Sequence, residues 1–153
     1  MRPAAVIFDI DGTLADVSHL SEYVTGINTD YDTFHTLVCD ADPIEWVVEE
    51  VHRRINTGYE IILVTARQEK FQQQTEQWLL EHEIDYTEMW MRRTNDVRSD
   101  YAIKSEILSA LKLRYDITHA YDDNPHTTQL WLGNGIPTTV VPGYPALMKE
   151  TWW

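Results

Sequence analysis

The chain is poor in several features that would place a protein in a particular class. Cys39 is the only cysteine among the 153 residues, so no disulfide can form within the chain, and a cytosolic location agrees with this. No run of about 18 apolar residues occurs, and we therefore predict no membrane-spanning helix. The N-terminus leads almost directly into a predicted strand, so we expect no signal peptide.

Positive charge is also scarce, with 12 lysines and arginines against 25 aspartates and glutamates and a formal net charge of −13. Surfaces that bind nucleic acids are usually basic, so this balance argues against a large nucleic-acid interface. The six histidines lack the spacing of metal ligands and are predicted to be structural. A hydrophobic content of 43% suffices for the core of one domain that spans residues 1–153.

What the sequence does contain is a regular alternation of strand and helix patterns. The predicted strands cover residues 4–9, 59–65, 86–91, 117–121 and 137–141. The predicted helices cover residues 42–57, 68–82 and 100–113, and a further short helix opens at Asn124-Pro125 and ends at Gly133 or Gly135. This alternation predicts an α/β fold, a Rossmann-like three-layer sandwich with a central parallel sheet.

Local signals place the ends of two of these helices. Asp42 is predicted to cap the helix over 42–57, with Pro43 at the first helical position. Ser99 or Asp100 is predicted to cap the helix over 100–113.

Carboxylates gather where the first predicted strand ends, in the segment VIFDIDGTLAD (6–16). Asp9 and Asp11 are one residue apart, and in an extended segment such residues point to the same side. Two anions at the end of a buried strand repel each other and lose hydration, so a cation is expected to compensate them. An oxygen-rich site without cysteine or clustered histidine suits a hard cation such as Mg²⁺.

Polar residues also follow the other central strands. Thr65 and Arg67 follow the second strand, and Asp122 and Asp123 follow the fourth. Lys104 lies near the start of the intervening helix. Ligands of parallel sheets bind beyond the carboxyl ends of the strands, so the sequence predicts that these groups meet at one site.

Four segments together resemble the motifs of the haloacid dehalogenase-like (HAD) phosphatases. FDIDGTLAD (8–16) is similar to the first motif, DxDGT, and ILVTAR (62–67) is similar to the second, an apolar strand that ends in threonine or serine. Lys104 in YAIKSEIL matches the third motif, and YDD (121–123) matches the acidic fourth. The four occur in the family's order and on the expected elements.

The resemblance implies a HAD-like fold with a minimal cap or none, and a Mg²⁺-dependent phosphomonoesterase that forms an aspartyl-phosphate. Asp9 would be the nucleophile, and Asp11 would be the general acid and base. Thr65 would donate a hydrogen bond to a phosphoryl oxygen, and Lys104 would pair with the phosphate and with Asp9. The implied metal ligands are Asp9, the main-chain carbonyl of Asp11, and either Asp122 or Asp123.

A finer resemblance concerns the substrate. Arg67 after the second motif and the run DVRSDYAIKSEIL (96–108) are similar to the 3′-phosphatase domain of phage polynucleotide kinases. This implies action on polynucleotide 3′-phosphates, with substrate contacts from Thr65, Ala66, Arg67, Arg98 and Lys104. No G-x-x-x-x-G-K-[ST] motif occurs, so a stand-alone phosphatase is implied, and the sequence leaves open whether a separate kinase or ligase is its partner.

The segments around the predicted site are short. Residues 17–41 form a small helical insertion near the site, and residues 92–99 form a loop, so neither is large enough for a full cap domain. Such an open site would admit a polymer end or a nucleotide. Arg92, Arg93 and Arg98 are candidates for binding a phosphate, or are a plain surface cluster. The aromatic candidates for stacking on a base are Tyr23, Tyr31, Phe34, Trp90 and Tyr101.

Two other functions stay open at this stage. A phosphatase for mononucleotides or other small phosphate esters agrees better with the net charge, because an acidic protein repels a polyanion at long range. A non-catalytic module with the same fold is the other alternative. The intact set of Asp9, Asp11, Lys104 and Asp122 argues against it, because a module without catalysis has no need of these charges.

Overall fold

The computed structural model describes residues 1–23 and 30–143, apart from the side chains of Ser21, Glu22, Tyr31 and His35. The strands are β1 (Ala4–Phe8), β2 (Glu60–Gln68), β3 (Glu88–Arg92), β4 (Asp116–Asp122) and β5 (Thr138–Val140). The helices are α1 (Tyr31–Leu37), α2 (Glu45–Asn56), α3 (Gln72–Glu81), α4 (Asp100–Leu111) and α5 (Pro125–Gly133). Short 3₁₀ segments cover Ser18–Tyr23, Val38–Asp40 and Glu69–Phe71.

The five strands form one sheet in the order β3-β2-β1-β4-β5, and every pairing is parallel. The predicted α/β fold with a central parallel sheet is therefore confirmed. β1 lies in the centre, between β2 and β4. The chain order reverses at β1, and this is the point at which open parallel sheets bind ligands. The carboxyl ends of β1, β2 and β4 consequently lie side by side.

Both faces of the sheet are covered, as the apolar composition of its central strands requires. Val6 and Phe8 pack on one side in a cluster that includes residues of α2 and α3. Ala5 and Ile7 pack on the other side with residues of α4 and α5. Because successive strand residues point to opposite faces, β1 contributes to both cores and is buried on each side. This burial fixes the position of the chain that follows β1.

The starts of the helices agree with the predicted caps at two positions and disagree at a third. Ser99 accepts a hydrogen bond from the backbone of Ala102, and Asn124 accepts one from the backbone of His126. The prediction for Asp42 was wrong, because α2 begins at Glu45 without a side-chain cap. The main chain at 42–44 is instead tied to residues 14–16, through Asp16 N–H to the Asp42 carbonyl at 2.8 Å and Ile44 N–H to the Leu14 carbonyl at 2.7 Å.

The segment between β1 and α2 contributes to the core. Leu20, Phe34 and Val38 are buried in the cluster on the α2 side of the sheet. Phe34 is therefore unavailable for stacking on a base, although the sequence made it a candidate for that role. The side chain of Tyr31 lies outside the described residues. Within the described ranges, no helix is both long and apolar enough to cross a bilayer.

The chain that follows β5 returns to the turn that follows β1. Val141 N–H donates to the carbonyl of Asp122 at 2.9 Å, and Gly143 then lies directly against Gly12. A Cβ atom placed on Gly143 would stand 1.7 Å from the carbonyl oxygen of Gly12. Only a residue without a side chain fits there, because the neighbouring atoms are backbone and cannot rotate away.

We predict that Gly143→Ala lowers the free energy of unfolding by about 2 kcal/mol, the usual scale of overpacking. Gly133 is the matched control, because an added Cβ there meets no atom within 4 Å. Gly133→Ala should be neutral or stabilising by up to about 1 kcal/mol, since alanine is the better helix former. Urea denaturation of both variants measures the difference, and equal stabilities would contradict the close approach of Gly143 to Gly12.

Candidate active site

The turn after β1 holds Asp9 and Asp11 at the edge of the sheet. Asp9 N–H donates to the carbonyl of Tyr121 on β4 at 3.0 Å, which extends the strand pairing by one residue. Gly12 then adopts a φ of +82°, a conformation that favours glycine. The carbonyl of Ile10 accepts hydrogen bonds from the next backbone N–H groups of the turn. The turn is therefore closed by its own backbone, and both carboxylates are held nearly buried.

Lys104 connects β1 and β4 across this edge. Its Nζ lies 3.1 Å from Oδ1 of Asp9 and 3.0 Å from Oδ2 of Asp122, and all three side chains are buried. Burial alone would lower the pKa of Lys104, but the carboxylates of Asp122 and Asp9 outweigh it and raise the pKa above its usual value. Lys104 is therefore a permanent positive charge between two acids from neighbouring strands.

One ammonium does not compensate all the carboxylates around it. Burial raises the pKa of Asp9 from 3.8 to about 7, with Lys104 opposing this and Asp122 and Asp11 adding to it. Burial and the nearby Asp9 and Asp122 raise the pKa of Asp123 well above its usual value. The site thus has an excess of negative charge in a region from which water is largely excluded. A bound cation would relieve this excess.

The oxygens of Asp9, Asp122 and Asp123 suit such a cation, because each residue offers one oxygen within 4.8 Å of the others. Asp122, the last residue of β4, and Asp123, which follows it, differ in how many hydrogen bonds their carboxylates accept. Oδ2 of Asp122 accepts from Lys104 Nζ and, at 3.1 Å, from Trp131 Nε1, while its Oδ1 accepts from the backbone of Asn124 at 3.0 Å.

Asp123 is less satisfied than Asp122. Its Oδ1 is 3.3 Å from the hydroxyl of Thr13, which also lies 3.4 Å from Oδ2 of Asp9. Its Oδ2 is buried and has no hydrogen-bond partner among the described residues. A buried carboxylate oxygen without a donor is costly and fits direct coordination of a cation. The donor set present here therefore fits Mg²⁺.

The carboxylate of Asp11 is paired with the guanidinium of Arg67. The fully buried guanidinium donates from Nη2 to Oδ1 of Asp11 at 2.5 Å and from Nε to Oδ2 at 3.2 Å. Its Nη1 donates to the hydroxyl of Thr75 on α3 at 2.9 Å. The two parallel hydrogen bonds fix the plane of the Asp11 carboxylate. Asp11 is not one of the three acids whose oxygens lie within 4.8 Å of one another, but its charge contributes to the raised pKa of Asp9.

The other predicted residues of β2 lie in the same part of the structure. Thr65 is buried, and its hydroxyl oxygen accepts from the backbone N–H of Arg67 at 3.1 Å, which leaves the hydroxyl hydrogen able to donate. The carbonyl of Ala66 accepts from Nε of Arg92 at 3.0 Å. β2 continues to Gln68, three residues beyond the predicted end, and its pairing with β3 shifts between Thr65 and Gln68.

The guanidinium groups of Arg92 and Arg98 are both engaged by acceptors of the same chain. The guanidinium of Arg92 donates to the backbone carbonyls of Asp96 and Arg98 and pairs with Asp100 at 2.5 Å. It thereby fastens the loop and the start of α4 to β2. Arg98 is half-exposed and pairs with Asp96 and Glu106, each at 2.8 Å, and the structure does not bring it to the group around Asp9.

Three functional candidates escaped sequence reasoning as individual residues. Thr13 belongs to the DGT segment, so the motif itself was the available signal. Thr75 gave no signal beyond its place in the predicted helix over 68–82, and Trp131 gave none beyond its apolar character. Their partners lie on other elements and are distant in sequence, so only the folded chain brings them together.

Comparisons with known proteins agree with this geometry. Residues 3–143 match the family model of the polynucleotide kinase PNKP phosphatase domain. A chain of a Pnkp1/Rnl/Hen1 complex is 27% identical and matches 92% of the present chain with a TM-score of 0.79. That match covers 46% of the complex's chain, so the present chain spans about half of its length.

Two more distant structures share the fold. The class C acid phosphatase from Bacillus anthracis with tungstate bound matches with a TM-score of 0.70 and 14% identity, over 94% of this chain and 68% of that one. A predicted phosphatase from Clostridium acetobutylicum matches with a TM-score of 0.62 and 13% identity, over 99% of this chain and 91% of that one.

We predict that Arg92→Gln lowers the free energy of unfolding by about 3 kcal/mol, because the buried carboxylate of Asp100 loses its ion pair with Arg92 and keeps only the charge of Lys104 nearby among the described residues. Arg98→Gln is the matched control in the same loop, and it should cost less than about 1 kcal/mol because its ion pairs are half-exposed. Chemical denaturation of the two variants measures both values. Similar losses would contradict the structural role of Arg92.

The raised pKa of Asp9 predicts a pH dependence of stability in a metal-chelating buffer. The folded protein holds the Asp9 proton more tightly than the unfolded chain, so this contribution to stability is complete below pH 3.8 and is lost as the pH rises through about 7. Between pH 5 and 8 the free energy of unfolding should fall by about 2–3 kcal/mol on this account. Asp9→Asn should show a shallower fall in urea denaturation, whereas parallel slopes for the two proteins would refute the prediction.

Proposed function

Because this chain belongs to the PNKP phosphatase domain family and is a phosphatase of the HAD type, we propose that it removes 3′-phosphates from polynucleotide ends in a Mg²⁺-dependent reaction. The observation that carries the proposal is the buried bridge of Lys104 between Asp9 and Asp122. A carboxylate approaches a phosphate dianion only where positive charge screens the two anions, and Lys104 supplies that charge beside Asp9. A cytosolic location, one domain over residues 1–153 and a minimal cap from the 17–41 insertion remain parts of this proposal.

Asp9 acts as the nucleophile in the proposed reaction. One of its oxygens forms a bond to phosphorus while the bond from phosphorus to the 3′ oxygen breaks, which leaves a phosphoryl group on Asp9. The hydroxyl of Thr65 donates to a phosphoryl oxygen, and Lys104 holds the phosphoryl group against Asp9. Water then attacks phosphorus, which releases inorganic phosphate and restores the carboxylate.

Asp11 moves the protons. It protonates the leaving 3′ oxygen in the first step and takes a proton from the attacking water in the second. Its bidentate pair with Arg67 favours the ionised carboxylate, which is a poor acid. Asp11 therefore has to take up a proton from solvent as the substrate binds, before it can protonate the leaving 3′ oxygen.

Asp9, Asp123 and the main-chain carbonyl of Asp11 are the proposed ligands of Mg²⁺. Asp123 is chosen over Asp122 because its buried Oδ2 has no hydrogen-bond partner among the described residues, whereas both oxygens of Asp122 already accept hydrogen bonds. Bound there, Mg²⁺ would neutralise negative charge on the phosphoryl oxygens. Asp122 instead orients Lys104.

The polynucleotide substrate is proposed from the similarity to the Pnkp1/Rnl/Hen1 complex, which has also been described as an RNA repair complex. By the same analogy, a separate kinase or ligase is a candidate partner. Tyr101, on the first turn of α4, is 47% exposed and remains a candidate for contact with a base. Trp90 and Tyr23 are partly buried against the core and are poorer candidates.

A phosphatase for mononucleotides is the second candidate, and one observation favours it. The cations at the edge of the site are paired with carboxylates of the same chain, as in Arg67–Asp11, Arg92–Asp100 and Arg98–Asp96. Few positive groups are then available for the backbone of a polymer.

We predict that the purified chain releases phosphate from a 3′-phosphorylated oligonucleotide in the presence of Mg²⁺, and that Asp9→Asn lowers this rate at least about 1,000-fold while the protein stays folded. Asp96→Asn is the matched control, because Asp96 binds Arg98 rather than the group around Asp9, and it should keep most of the activity.

A set of substrates separates the candidates. Preference for the oligonucleotide over a 3′-mononucleotide supports the proposal, and its turnover should fall as salt rises, because polymer binding releases counterions. Brisk turnover of mononucleotides with an inert oligonucleotide would support the second candidate. Full activity of Asp9→Asn would exclude Asp9 as the nucleophile.

A further inference from the structure

The buried carboxylate of Asp122 accepts hydrogen bonds at both of its oxygens, from α4, from α5 and from the residue that caps α5. Oδ2 receives Lys104 Nζ from α4 and Trp131 Nε1 from α5, and Oδ1 receives the backbone N–H of Asn124. The proposed reaction accounts for Lys104 but gives no role to the indole of Trp131. This indole N–H is a neutral donor that binds the same carboxylate as Lys104.

Trp131 is held rigidly in this orientation. Its side chain is fully buried in the cluster on the α4 and α5 side of the sheet, together with Ile103, Ile107 and Leu130. The start of α5 is fixed by the cap from Asn124, with Pro125 in the first turn. The ring therefore cannot turn its N–H elsewhere without opening the core. A buried indole N–H needs a hydrogen-bond acceptor, and here the acceptor is Asp122, a residue of the candidate active site.

We propose that Trp131 is a positioning residue of the phosphate site, whose indole N–H holds the Asp122 carboxylate in the orientation that keeps Lys104 against Asp9. The inference rests on the proposed function of this site. With two donors on Oδ2 and one on Oδ1, the carboxylate cannot rotate. Without the indole N–H, Oδ2 has Lys104 as its remaining donor, and the ammonium shifts toward Asp122 and away from Asp9. The phosphate would then lose part of the contact that screens its charge.

The alternative is that Asp122 only serves as the hydrogen-bond acceptor that the buried indole N–H of Trp131 needs, with no effect on phosphate binding. The two readings predict different behaviour when the N–H is removed. A core role predicts a loss of stability alone, whereas a positioning role predicts in addition a loss of affinity for oxyanions. The affinity for an inert oxyanion is the decisive readout, because it is measured without turnover.

The test compares Trp131→Phe with Trp78→Phe. Trp78 is as deeply buried, and its Nε1 donates to the backbone carbonyl of Ala41 at 2.8 Å, on the opposite face of the sheet. Each variant removes one buried indole N–H, so both should lower the midpoint of thermal unfolding to a similar degree. Binding of tungstate and of inorganic phosphate, with Mg²⁺ present, is then measured by isothermal titration calorimetry.

We expect Trp131→Phe to weaken the affinity for both oxyanions about tenfold, the usual scale for one hydrogen bond to a charged group. Trp78→Phe should keep the affinity of the unsubstituted protein. Unchanged affinity in Trp131→Phe, or equal weakening in both variants, would overturn the inference and leave the proposed function intact. If the unsubstituted protein neither binds oxyanions nor releases phosphate from any ester, the proposed function fails and the inference fails with it.

A second measurement covers the case in which Trp131→Phe does not fold. In the ¹⁵N-labelled, unsubstituted protein, the indole N–H resonance of Trp131 should shift on saturation with tungstate, because the acid that it contacts then shares Lys104 with the ligand. The resonance of Trp78 should stay in place. An unmoved Trp131 resonance under saturating tungstate would also overturn the inference.

Discussion

A buried ammonium between two carboxylates is the interaction on which the rest of this structure depends. Lys104 comes from α4, Asp9 follows β1 and Asp122 ends β4, so the three meet only if the parallel sheet has formed and α4 lies across its edge. Buried ion pairs contribute little net stability, because desolvation offsets the attraction. These ion pairs therefore do not explain the stability of the fold. The apolar cores on both faces of the sheet supply that stability and offset the cost of burying the charges.

The arginines around the site serve geometry more than long-range attraction. Arg67 fixes the plane of Asp11 and reaches α3 through Thr75, while Arg92 fastens the loop before α4 to β2. Each is neutralised by an acid of the same chain, and the protein keeps a net charge of −13. In the proposed function, a substrate would be recognised at short range, through the phosphate that reaches Lys104, and would gain little from the surrounding electrostatic field.

Sequence patterns anticipated the sheet and which charged residues lie together at its edge, because both depend on local rules. Apolar runs of strand length form the buried strands, and polar residues at their carboxyl ends meet wherever the sheet is parallel. The predictions that were wrong, or that were not made, concern contacts between residues distant in sequence. Asp42 does not cap α2, because the main chain around it pairs with residues 14–16, and Phe34 is part of the core although its neighbours in sequence are polar. The position of Arg92 and the donor on Trp131 depend on partners that no local pattern specifies.

The close approach of Gly143 to Gly12 has a consequence for the order of events in folding. It joins two segments near opposite ends of the described chain, so its formation carries the largest loop-closure entropy and comes late. Thr13, whose hydroxyl lies between Asp9 and Asp123, sits beside Gly12. A nascent polypeptide still attached to the ribosome can thus form most of its sheet before Gly143 packs against Gly12.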